Sequence, residues 1–196
     1  MRIIRSSVTL IALIFLTTAC NSTNEITPTP TNLTQPVIDS APYLCRLIPE
    51  QAFRLVSGVT ADLAEKSDGD QRVGSCKAPD TTPRPLTVWW IQEGTGMPIE
   101  HLDFLLNDRM KVYTQHGGVP LPAELGDGMA VYLTSGLLAT QPYRASAKFR
   151  CGSTDRMIDI YLSQISKGRD AIKDLINLMR IAQKRYGVLY NCTPGA

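Results

Sequence analysis

The chain has 196 residues, 43 % of them hydrophobic and 19 % charged, a balance that excludes both a disordered chain and a multi-spanning membrane protein. Its formal charge is +2, and Arg2 and Arg5 account for the whole excess of 20 basic over 18 acidic side chains. The chain beyond residue 19 is thus neutral, which excludes nucleic acid as a partner, because that needs a clustered positive field.

Residues 1–19 read as a targeting signal rather than as structure. Arg2 and Arg5 form a basic start, and an apolar run from Val8 to Leu16 is broken only by Thr9. That run falls short of the roughly 20 apolar residues a membrane span requires. Thr17-Thr18-Ala19-Cys20 follows, and this small-residue site before a cysteine resembles the lipobox of bacterial lipoproteins. Leu16 stands one place further from the cysteine than in the usual form of that motif, where Thr17 is found here. The resemblance implies cleavage between Ala19 and Cys20 and a lipid on Cys20. It places the chain on the outer face of the cytoplasmic membrane.

Setting Cys20 aside leaves Cys45, Cys76, Cys151 and Cys192, an even number that reads as two disulfides in an oxidising compartment. Three pairings are possible. Cys45–Cys76 with Cys151–Cys192 is favoured, because each bridge then closes a loop within one half of the chain. No C-x-x-C spacing exists and the chain's histidines are His101 and His116, so no metal site is expected.

Residues 20–41 are dominated by Thr, Pro and Asn and read as a disordered linker that follows the lipidated cysteine. Residues 42–196 form one globular domain. A short helix opens at Pro49-Glu50-Gln51 and stops at Gly58. Residues 65–70 read as a loop, 72–78 as a strand carrying Cys76, and 86–92 as a clear strand. Leu102, Leu105, Leu106, Met110 and Tyr113 repeat at helical spacing within residues 99–115. Strands are expected at 129–134, 144–151 and 156–163, and an amphipathic helix at 170–185. Short connections between strands favour hairpins, so the expected fold is α+β: an antiparallel sheet of about five strands with helices on one face.

A wider resemblance rests on Cys45-Arg46-Leu47-Ile48-Pro49-Glu50-Gln51-Ala52, on Cys76 some thirty residues later, and on the turn Leu125-Gly126-Asp127-Gly128-Met129-Ala130. These segments, with the linker and the closing helix, resemble actinobacterial lipoproteins whose shared domain has no known function. The likeness covers roughly residues 42–185, and it departs at Lys77, where those proteins commonly carry an aromatic residue. It implies a location and a fold, and it brings no activity.

No catalytic or cofactor motif is present: no G-x-S-x-G, H-E-x-x-H, P-loop or G-x-G-x-x-G. Asp127, between two glycines, reads as turn chemistry. Trp89-Trp90 stands out, because neighbouring strand residues face opposite sides. With Leu86, Val88 and Trp90 facing the helices, Thr87, Trp89 and Ile91 occupy the other face. Either a loop covers them, or Trp89, Tyr132, Arg144 and Lys148 form a binding face. The leading expectation is therefore a membrane-anchored envelope module that binds another envelope protein or an apolar ligand. The alternatives are a cell-wall hydrolase using Asp127 and a carrier of a lipid or other apolar molecule.

Overall fold

A computed structural model describes residues 35–94, 100–134 and 140–195. The signal segment, Cys20 and the linker up to residue 34 lie outside the described residues. Residues before the expected boundary at Pro42 already belong to the fold. Val37 packs against the core, and Asp39 accepts hydrogen bonds from Tyr43 and Lys184.

Tyr43–Leu44 (β1) and Ile48–Pro49 (β2) form a small antiparallel ladder that leads into helix α1, Glu50–Ser57. Pro49 sits at the head of α1 and Gly58 closes it, its N–H donating to the Arg54 carbonyl. Strands β3 (Lys66–Gly69), β4 (Val73–Ala78) and β5 (Leu86–Gln92) follow as a meander. Helix α2 (Glu100–Gln115), strand β6 (Val119–Pro120) and a 3-10 turn at Ala123–Leu125 come next. Strands β7 (Asp127–Tyr132), β8 (Tyr143–Cys151) and β9 (Thr154–Leu162) precede helix α3 (Ala171–Tyr190) and strand β10 (Pro194–Gly195).

The main sheet has eight antiparallel strands, ordered β3-β4-β5-β9-β8-β7-β6, with β10 paired to β8 beyond the end of β7. The α+β expectation holds, but five strands is too few. The additions are short or edge elements. β3 exposes all four residues, so it lacks the apolar alternation that marks a half-buried strand.

One face of the sheet carries Val88, Ile158, Ile160, Ala147 and Phe149 against Phe53 and Val56 of α1 and Leu175, Met179 and Tyr186 of α3. These side chains are fully buried or nearly so. Both disulfides border this core. Cys45–Cys76 ties the β1–β2 ladder to β4 across 31 residues, and Cys151–Cys192 ties β8 to the chain after α3 across 41. The favoured pairing is the one observed.

Helix α3 starts at Asp170, whose carboxylate accepts the Lys173 N–H, and runs past the expected end at residue 185. Gly187 lets it continue while the C-terminus folds back. A Cβ there would lie 2.5 Å from the Cys192 carbonyl oxygen. At its start the buried Arg169 pairs doubly with Asp174, at 2.6 and 2.8 Å.

Helix α2 overturns the expectation of helices on one face. Its Leu102 and Leu106 pack on Met157, and its Tyr113 joins Met129, Val131 and Leu133. Met157 alternates with Ile158 and Ile160, so α2 lies on the side opposite α1 and α3. No helix among the described residues is long and apolar enough to cross a membrane.

Candidate functional site

Strand register lays out the second face in rows. Ser75, Trp89, Asp159, Ser146 and Met129 lie side by side across β4, β5, β9, β8 and β7. The next row is Lys66, Lys77, Thr87, Tyr161, Arg144 and Val131. On the other flank lie Val73, Ile91, Met157, Lys148 and Asp127. Helix α2 covers the part over β9, β8 and β7 through two separate apolar patches, and a polar cluster fills the gap between them.

Asp159 stands at the centre of that cluster, 3 % exposed. Its Oδ2 accepts from Arg109 Nη2 at 2.9 Å, and its Oδ1 accepts from Ser146 Oγ. The Ser146 proton is thereby committed, so the Tyr113 hydroxyl donates to Ser146 Oγ across 3.0 Å. Tyr161 lies on the same strand and the same face, two residues beyond Asp159. Burial pushes the Asp159 carboxyl above its ordinary value, although Arg109 and the Ser146 hydroxyl pull against it. Burial also opposes charge on Arg109, but the Asp159 carboxylate outweighs it and the guanidinium stays firmly protonated. Burial raises the Tyr113 hydroxyl and, with Asp159 beside it, lifts Tyr161 to about 12. Both phenols are therefore neutral donors at physiological pH. The sequence signal for this cluster is an aspartate inside the apolar run Met157-Ile158-Asp159-Ile160, yet its partner Arg109 lies 50 residues away.

Of the four residues expected to form a binding face, Trp89 and Arg144 share the open part of it. Trp89 is 46 % exposed. Arg144 lies over the Tyr161 ring, 4.3 Å from its centroid, and donates to the Gln141 carbonyl. The Gln141 amide reaches Thr87 Oγ1 and the Arg84 carbonyl, so the chain at residue 141 covers Thr87 but leaves Trp89 open.

Lys148 shares the face but is occupied. It bonds Asp103 of α2 and pairs with Asp155 at 3.8 Å. The Asp103 carboxylate raises its ammonium above the usual lysine value.

Tyr132 is misplaced in that expectation. Val131 pairs with Arg144, so Tyr132, one residue on, points to the opposite side and stacks on Tyr143 at 4.7 Å.

Asp127 opens β7 opposite Lys148, at a surface hollow of about 400 Å³ that Asp155 and Arg150 also line. The turn before it needs glycine. Gly126 has φ 77°, and a Cβ there would sit 2.2 Å from the Lys148 carbonyl oxygen. His101 and His116 stand at opposite ends of α2 and join no nucleophile–base pair among the described residues.

Glu65 brings a carboxylate within 4.8 Å of both sulfurs of Cys45 and Cys76. Those sulfurs are bonded to each other, and Glu65 accepts the Cys45 N–H instead. No family model matches this chain, and no curated protein or solved structure matches it.

Proposed function

We propose that this chain is an exported bacterial lipoprotein, held at the outer face of the cytoplasmic membrane by a lipid on Cys20. Its folded domain is a binding module rather than an enzyme. The observation that carries this reading is the cysteine pairing. Cys45 with Cys76 and Cys151 with Cys192 consume four cysteines in the way an oxidising compartment favours, and the one left over is Cys20 in its lipobox-like setting. The likeness of residues 42–185 to actinobacterial lipoproteins belongs to the same proposal.

The binding surface is the open sheet face around Trp89, where an exposed aromatic lies beside the Arg144–Tyr161 pair. The polar groups in reach of chemistry are committed to one another: Asp159 to Arg109 and Ser146, and Lys148 to Asp103 and Asp155. A carrier would need an apolar cavity between the sheet and α1 or α3, where Phe53, Val88, Ile160 and Leu175 are closed to solvent.

Labelling cells with a radioactive fatty acid tests the anchor. Wild-type chain should take up label, whereas Cys20→Ala should take up none and accumulate at its uncleaved size. Equal labelling of the two would refute the anchor. Asp127→Asn tests the hydrolase alternative, and it should leave the integrity of the cell wall unchanged.

A further inference from the structure

The open part of the Trp89 face is lopsided in charge. Lys66 and Lys77 are neighbours across β3 and β4, and both reach Asp80, at 3.2 and 3.8 Å. Arg84 reaches the same carboxylate at 3.3 Å, and Arg144 lies in the row that Lys66 and Lys77 begin. Against these four cations stand two carboxylates, Asp80 and the Asp68 beside Ser75. Glu65 turns to the other face, toward Cys45 and Cys76. Trp89, in the row next to these cations, is 46 % exposed, and Val73, one row further, is 40 % exposed. The open part of the face, beside the part that α2 covers, is thus apolar around Trp89 and positive along the row that Lys66 and Lys77 begin.

The first described residue, Gln35, lies near the same end of the sheet, on the side that carries α1. The Gln35 carbonyl accepts from Arg169, the Arg169 N–H donates to Ser166, and Ser163 donates to Pro85, next to Arg84. Fourteen residues lie between Cys20 and Gln35.

We propose that this face docks onto the anionic phospholipid surface of the membrane that holds Cys20. The inference rests on the lipoprotein reading, since tethering gives an effective concentration at which a weak surface contact is populated. The chemistry favours a bilayer over other occupants. An extended peptide adds to a sheet edge and a small apolar ligand needs a concavity, whereas an exposed tryptophan beside a row of cations suits an anionic leaflet. Tryptophan is the side chain that settles at the headgroup level, and lysine and arginine are drawn to anionic leaflets.

The test uses the acylated chain, extracted from membranes and reconstituted into vesicles of phosphatidylcholine alone or mixed with phosphatidylglycerol. Lipids with brominated acyl chains quench any tryptophan at the bilayer, and Trp89→Phe identifies the Trp89 part of the signal. With phosphatidylglycerol, the Trp89 emission should shift to the blue and be quenched. In phosphatidylcholine it should stay open to iodide. Lys66→Glu with Lys77→Glu should cut the docked fraction roughly tenfold, as should salt well above physiological strength.

Chain that floats with the vesicles while Trp89 stays equally open to iodide in both lipids overturns the docking and leaves the anchor standing. Chain whose Cys20 carries no acyl group by mass spectrometry overturns both.

Discussion

Replacing Cys45 and Cys76 together by alanine should lower the unfolding free energy by about 3.5–4 kcal/mol, the loop-closure entropy that a bridge across 31 residues removes from the unfolded chain. In a domain of this size the melting temperature should fall by roughly 10 °C. Chemical denaturation with matched slopes measures the loss directly. The size of the effect follows from position. Residues before α1 meet the sheet through the two-residue ladder β1–β2, whose strands pair with each other and with no strand of the main sheet. The bridge from Cys45 to Cys76 is the covalent tie between that ladder and β4. Removing Cys151 and Cys192 should cost a similar amount, because that loop is somewhat longer at 41 residues. A double variant within 1 kcal/mol of wild type, by chemical denaturation, would show that the bridge carries no structural weight.

The second large effect belongs to Arg109. Arg109→Met leaves the Asp159 carboxyl almost wholly buried and without its cation, which should cost about 3–5 kcal/mol. Asp159→Asn should cost less, about 1–3 kcal/mol, because the Arg109 side chain is 24 % exposed and its charge can turn to water. The double variant should recover most of the loss, since a buried pair replaced whole strands no charge.

The pH dependence has a definite sign. Burial already raises Asp159 above the ordinary carboxylate value of 3.8, so the folded state holds that proton more tightly than the unfolded chain does. The stabilisation this gives is complete below the ordinary value and is lost as pH rises through the folded one. Without Arg109 the folded value climbs further. Arg109→Met should therefore be much weaker at pH 8 than at pH 4, when compared with wild type at each pH. A penalty that does not change with pH would show that Arg109 does not hold down the Asp159 proton affinity in the folded state.

Much of the fold was legible because its signals are local. β5, β8 and β9 carry a face of Val88, Ala145, Ala147, Ile158 and Ile160, and α1 and α3 carry their own start signals. The disulfide pairing was legible from loop economy. β3 was not, since Lys66-Ser67-Asp68-Gly69 is an edge strand with no buried side, and neither β6 nor β10 is long enough to show a period.

The placement of α2 was hidden for a different reason. Leu102, Leu106 and Tyr113 announce a helix, but nothing in their spacing says which side of the sheet they meet. That gap propagated into the site. In β7, Met129 and Val131 are buried under α2 while Gly128 and Ala130 face the main core, so both sides of the strand are inward and its phase is ambiguous. Tyr132 was assigned to the wrong face as a result. Trp89 and Arg144 were assigned correctly, because β5 and β8 each have one plainly apolar side. The Asp159–Arg109 contact joins residues from separate elements, a pairing that tertiary packing creates and periodicity does not encode.

The measurement closest to the central claim is the intact mass of the mature chain recovered from the cell envelope, with its N-terminal peptide sequenced by fragmentation. The expected result is a chain that starts at Cys20, heavier than its amino acids by a lipid group on that residue, with the other four cysteines oxidised in pairs. A soluble product with an unmodified Cys20, or one cleaved elsewhere in the first forty residues, would contradict it.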